Sequence, residues 1–342
     1  MNDIAVFAQT NDARGNELVA FTRDADGRLT NSGSYPTGGR GGVLDGSVVD
    51  HVASQGSLTY DRGSGLLYAV NAGSDTITTF AVHGDRLVRR QVLPSGGSFP
   101  VSVTAHGNLV YVLNARGGGA IQGYLRIGGV LVRIPAWHRG LGLDPAQTPE
   151  FTSTPGQVVF TPDGSRLLVT TKGGTSSIDV FRVGPAGPSA PTVTSLPGAV
   201  PFSVAFDAAG HVAVAEAGPN AVATFRLDRD GALTQLDSAP TGQAATCWIV
   251  SAGGTLYLSN AGSGNVSRFA VDRRGTLAEL GTTATDAGTV DAAASSDRHF
   301  LYVQAGAAGI VDAYRIGAGG SLTRVGSVTV PGAVGGEGIV AL

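Results

Sequence analysis

The chain contains one cysteine, one methionine and one lysine. With Cys247 alone, neither a disulfide nor a thiolate metal centre can form within one chain. Charged residues make up 14% of the sequence, well below the usual quarter, and the net charge is −3. The basic residues are scattered, so no electrostatic footprint for nucleic acid is present. No apolar run approaches the roughly 20 residues of a membrane-crossing helix. The start, MNDIAVFAQT, lacks the basic stretch and apolar core of a secretion signal. A cytoplasmic monomer is expected, with secretion after removal of a leader left open. Several chemical motifs are also missing: G-x-S-x-G, H-E-x-x-H, a P-loop, and any G-x-G-x-x-G opening a helix. No cofactor and no metal are expected, although an axial ion is left open. Neither nucleic acid nor membrane is an expected partner.

Glycine is abundant, at 52 of 342 residues, while the hydrophobic share is an ordinary 42%. That apolar content excludes a disordered chain, which combines low hydrophobicity with high net charge. The glycines show no three-residue period, so collagen is excluded too. They punctuate a repeat. Copies starting at Gly56, Val101, Gly156, Phe202, Cys247 and Val290 each open with a short apolar strand, such as SLTYD or QVVFTPD. A second strand follows, as in LLYAVNAGS or TLYLSNAGS, then a third ending in an aromatic, as in TITTFAV or NVSRFAV. A polar turn leads into a fourth strand.

Second-strand anchors at Tyr68, Tyr111, Leu168, Ala213, Tyr257 and Tyr302 recur every 43 to 57 residues, and Phe7 anchors one more copy. Four strands per such period is a β-propeller blade. The N-terminal copy lacks a first strand, and the C-terminal EGIVAL supplies a spare one. Docking it innermost on the first blade removes two sheet edges. The expected architecture is all-β: one seven-bladed propeller domain over residues 1–342, its ring closed by the C-terminal strand.

Both long departures from the period fall in crossings between blades: TGGRGGVLDGSVVDHVASQ before Gly56, and AWHRGLGLDPAQTPEFTST before Pro155. Insertions on a rigid scaffold commonly form a binding face. Here they carry Asp45, Asp50, His51, Trp137, His138, Arg139, Asp144 and Glu150. Either histidine has the right unperturbed pKa for a general base. Second-strand ends place Asn71, Asn114, Thr171, Glu216, Asn260 and Thr10 at equivalent positions on the same rim. Glu216 and Lys172 break that polar pattern with charge, and a lysine beside a glutamate in a cleft can exchange protons. First-strand starts add Gln55, Ser98, Gln157, Ser203, Trp248 and Asp291 as channel-mouth candidates. Trp248 is large for an innermost strand and fits a channel plug or an apolar wall for a ligand. The catalytic candidates are therefore Glu216, His51, His138 and Lys172. The substrate-binding candidates are Gln157, Asn71, Asn114, Asn260, Trp248 and Arg116.

The segments GLLYAVNAGSDTITTF, FTPDGSRLLVTT and LYLSNAGSGNVSRF resemble the lactonase-type seven-bladed propellers. That group includes 6-phosphogluconolactonase-like proteins and carboxymuconate cycloisomerases. The resemblance implies a P-R-H triplet opening an innermost strand and an N-E pair ending the next, together binding an anion and moving protons. The matching positions here are Pro155-Gly156-Gln157 and Thr171-Lys172. Without the anion clamp, the expected reaction is opening or forming a lactone or related ring of an uncharged small molecule at the upper mouth. A biosynthetic cyclase or lyase, or a non-catalytic ligand- or protein-binding propeller, is the alternative.

Overall fold

The computed structural model describes residues 4–342. Seven antiparallel sheets follow one another along the chain. Blade 2 is typical, with strands Leu58–Asp61, Leu66–Asn71, Thr76–His83 and Arg86–Pro94. Blades 3, 5, 6 and 7 repeat it from Pro100, Pro201, Thr246 and Thr289. In blade 4 the outer strand is split into Gly187–Pro188 and Thr192–Ser195, both paired with Ser177–Gly184. Blade 1 takes three strands from the N-terminal segment and its innermost from the other end of the chain. Ile339–Ala341 pairs with Ala5–Gln9, placing Val340 opposite Phe7. The expected seven blades and ring closure are both present.

Two local devices recur around the ring, each missing from one blade: blade 3 has no aspartate at its lower hairpins, and blade 4, with its split outer strand, has no bulge. At the lower hairpins an aspartate folds its carboxylate onto the backbone two residues ahead. Asp61 accepts from the Gly63 N–H at 3.0 Å, Asp163 from Ser165 at 3.1 Å and Asp207 from Ala209 at 2.9 Å. Such turns absorb much of the sparse charge. Hydrogen bonds from the Thr161 and Ser165 side chains and the Ser165 backbone hold the Asp163 carboxyl down at about 2. The second device is a bulge in the outer strand pair just before the third-strand aromatic, at Phe21, Phe80, Tyr124, Phe225, Phe269 and Tyr314. A bulge re-aims the side chain that follows it. Each of these rings is at most 1% exposed, a burial that contributes roughly 2–3 kcal/mol.

The core lies between blades rather than at the axis. Tyr68, Val70 and Ile77 of blade 2, for example, pack on Val103, Val110 and Tyr124 of blade 3. The crossings between blades and the turns between second and third strands share one face, the upper one. Phe99 in the crossing to blade 3 donates its N–H to Asp75 in a blade 2 turn at 2.7 Å.

Candidate functional site

The first insertion enters the axial channel and fills it. Gln55 reaches across the ring to blade 6, its amide donating to the Ile249 carbonyl at 3.0 Å and accepting from the Ile249 N–H at 2.9 Å. The Ser54 hydroxyl donates to the Val101 carbonyl of blade 3, and the Gln55 N–H to the Gly156 carbonyl before blade 4. Trp248 donates its indole N–H to the Ser54 carbonyl at 2.6 Å and packs edge-on against Phe202. It holds the plug but is not the plug. The main chain of residues 53–56 occupies the place that the repeat pattern left for a channel mouth.

Four ionisable groups buried around this plug are matched to it. Lys172 is 1% exposed and occupies the position that Asn11, Ala72, Ala115, Ala217, Ala261 and Gly306 hold in the other blades. Its ammonium donates to the carbonyls of Ala53 at 2.7 Å and Phe151 at 2.6 Å, and to the Thr154 hydroxyl at 3.2 Å. Burial pulls its pKa down to about 7, opposed by the nearby Asp50 charge. Asp50 accepts from the Val52 and Ser54 N–H groups, both at 2.9 Å, folding the plug into its turn. Glu337 accepts from Gly56 N–H at 3.2 Å. Burial raises the carboxyls of Asp50, Asp291 and Glu337; the Asp291 and Asp50 charges raise Glu337 further, while a hydrogen bond from Glu337 lowers Asp291. Among the described residues, no group of three potential metal-binding side chains is arranged to hold an ion.

The remaining candidates are dispersed. Asn71, Asn114 and Asn260 are fully buried beneath the crossings rather than at a mouth. Asn71 donates to the Thr76 and Thr78 hydroxyls, Asn114 to the Ser95 carbonyl, and Asn260 to Asn265 and Ser267. Thr171 and Thr10 likewise bond within their own turns. Gln157 accepts from the Val204 N–H at 2.6 Å and joins blade 4 to blade 5. His138 is exposed on the outermost strand of blade 3, Val130–Gly140, opposite Gln122. The AWHRG segment is therefore strand, not crossing, because Trp137 is drawn into the core against Tyr111. Glu216 does not approach Lys172, whose carboxylate neighbours are Asp50 and Glu150. It lines a cavity beside the crossing to blade 5. Arg116 pairs with Glu150 at 2.6 Å, and Glu150 accepts from the Asp45 N–H at 2.7 Å. These contacts latch the two insertions together over the plug.

His51 differs from all of these. It lines an upper-face cavity of about 380 Å³ together with Asn11, Asp12, Ala13, Arg14, Val43, Gly332 and Val334. The insertion puts it there: the His51 N–H bonds the Gly335 carbonyl at 2.9 Å, and its own carbonyl accepts from Leu44. The imidazole lies against Gly335, where a Cβ would collide with the ring. Burial lowers the imidazole pKa, favouring the neutral form. Among the described residues, no side chain bonds either ring nitrogen. Across the cavity, Arg14 pairs with Asp12 at 3.0 Å while remaining largely exposed. Sequence reasoning named His51, and placed Gln55 and Trp248 at the channel, but named neither Arg14 nor, as the plug, the main chain of residues 53–56. The odd size of Trp248 was the one signal for the latter.

Residues 216–336, about a third of the chain, match the family model described as Lactonase, 7-bladed beta-propeller. No curated protein matches the chain. Among solved structures, a Lactobacillus plantarum protein has a TM-score of 0.78 at 22% identity, covering 100% of both chains. A candidate 6-phosphogluconolactonase from Bacteroides uniformis has a TM-score of 0.78 at 19% identity, covering 98% of both. A periplasmic gluconolactonase from Pseudomonas aeruginosa has a TM-score of 0.78 at 18% identity, again covering 98% of both. At these identities the likeness is one of fold. The lactonase-type resemblance carried by the repeats is met by the family match and by these neighbours. Among the described residues no helix is long and apolar enough to cross a membrane.

Proposed function

We propose that this propeller is a lactonase-like enzyme that opens the ring of an uncharged small lactone in the His51 cavity. The observation that carries the reading is the unpaired, neutral-leaning imidazole at the wall of an open upper-face cavity. The filled axis leaves the chemistry to this rim. His51 takes a proton from water as its oxygen adds to the ring carbonyl carbon. Arg14 supplies positive charge for the oxyanion that develops. The ring C–O bond then breaks, and the imidazolium returns its proton to the leaving alkoxide, giving a hydroxy acid. The apolar share of the lining, Val43, Val334 and Ala13, suits a substrate without phosphate.

Acid release from a panel of uncharged γ- and δ-lactones, followed at constant pH, tests this. Turnover that falls in His51→Gln while the fold persists supports it; a wild-type protein inert across the panel overturns it. One observation favours a non-catalytic binding propeller instead. A catalytic base is commonly oriented by a third group, and His51 has none among the described residues. Lactones that bind without turnover would decide for that reading.

A further inference from the structure

The same local unit recurs on the upper face, and in one blade it is altered twice. At the end of the second strand, blades 2, 3 and 6 carry Asn71, Asn114 and Asn260. The crossing that approaches each asparagine carries a hydroxyl before its glycine: Thr37-Gly38, Ser95-Gly96 and Thr241-Gly242. These parts bond together. Thr78 links Asn71 to the Thr37 carbonyl, Asn114 reaches the Ser95 carbonyl, and Thr246 links Thr241 to Asn260. The packing is tight enough that a Cβ on Gly39 or Gly97 would collide with the asparagine.

In blade 5 the asparagine is replaced by Glu216 and the hydroxyl by Pro197. The main chain of the crossing keeps its bonds to the strand end, Ala217 N–H to the Val200 carbonyl and Gly218 N–H to the Ala199 carbonyl, but no side-chain bond joins Glu216 to Pro197, which has no hydroxyl to offer. An open cavity of about 480 Å³ lies there, its wall formed by Leu196, Pro197, Ala199 and Pro219 beside Glu216, with Ser195 and Gln235 at its polar side. Glu216 is 7% exposed, and among the described residues no hydrogen-bond donor or cation meets its carboxylate. A buried carboxylate without a partner is costly. Elsewhere on this face the equivalent residues are neutral and mostly bonded, so the charge is not demanded by the fold.

We infer that this cavity is a second ligand site, taking a small organic cation: a primary ammonium on an apolar body. The ammonium would pair with Glu216 while the body covers the leucine and the two prolines. The site lies beneath the crossing between blades 4 and 5 and is independent of the His51 cavity and its proposed chemistry.

Titration with benzylamine and with its neutral counterpart benzyl alcohol, followed by amide chemical shifts and calorimetry, tests the inference. Saturable benzylamine binding that moves the Gly198, Ala199 and Gly218 amides is expected, at least tenfold tighter than benzyl alcohol. Glu216→Gln, nearly isosteric, should weaken benzylamine at least tenfold and leave benzyl alcohol unchanged. The double variant Glu216→Asn with Pro197→Thr restores the unit of the other blades, and should fold at least as stably while losing the site. His51→Gln should bind benzylamine as the wild type does. No saturable binding, equal binding of the alcohol, or undiminished binding in Glu216→Gln would each overturn the inference.

Discussion

Lys172 and His51 both arise from unusual residues near one insertion, yet the structure treats them oppositely. Lys172 is buried at the axis with three acceptors around its ammonium. His51 lines an open cavity with neither ring nitrogen bonded among the described residues. Both have lowered pKa values, and burial is the leading cause in each. The shift alone therefore does not separate a structural group from a chemical one. What separates them is whether the polar atoms already have partners. Buried and satisfied, Lys172 fixes the plug; accessible and unsatisfied, His51 is available to a substrate.

Removing either residue sharpens this contrast. Lys172→Met should have the largest effect, because it leaves Asp50 and two main-chain carbonyls without their cation. A loss of about 3–5 kcal/mol is expected in a denaturant titration. A loss below 1 kcal/mol would mean that the plug does not depend on the lysine. His51→Gln should act on turnover instead, lowering kcat/KM for lactones by about 100-fold with little change in the melting midpoint. The pH profile adds a sign. Because the folded imidazole has a lowered pKa, the basic form persists to lower pH than in a free histidine. The acid limb of kcat/KM should therefore lie below 6.5. The same shift makes the unfolded chain the stronger proton binder, so this group lowers stability as pH falls below 6.5.

The acidic side of the plug gives a smaller effect of opposite sign. Burial and the Asp291 and Asp50 charges raise the Glu337 carboxyl, so the folded state binds its proton more strongly than the unfolded chain. Stability from that proton is present at low pH and is lost as pH rises through the raised value. Glu337→Gln keeps a donor for Asp291 without the titration. Its stability relative to wild type should grow between pH 6 and pH 8, by about 1 kcal/mol, the worth of one titration step. Denaturant midpoints at the two pH values measure this, and a gap that narrows would place the buried proton elsewhere. The smallest change belongs to the exposed latch. Arg116→Ala removes the ion pair to Glu150 and should cost under 1 kcal/mol, a shift in thermal midpoint of a few degrees at most.

The fold was readable because propeller blades repeat local signals. The aromatic at the end of each third strand, the Asp turns and the spare C-terminal strand are each visible one segment at a time. The site was less readable because it depends on where insertions travel. Asn71, Asn114 and Asn260 look like a polar rim in one dimension, but register turns them under the crossings. His138 looks like a loop residue until Trp137 claims a place in the core and draws it into strand. Nothing local announces that residues 53–56 descend into the channel, since their bonds reach residues nearly 200 positions away, as Gln55 does to Ile249.

A structural axis and a reactive His51 cavity, as proposed, differ in where a substrate would bind. The most direct test is a crystal structure of the protein with a lactone or its ring-opened hydroxy acid. The expected result is density in the His51 cavity, with the carbonyl or carboxylate about 3–3.5 Å from an imidazole nitrogen or from a water bonded to it. Density on the axis with residues 53–56 displaced, beside Lys172, would contradict it.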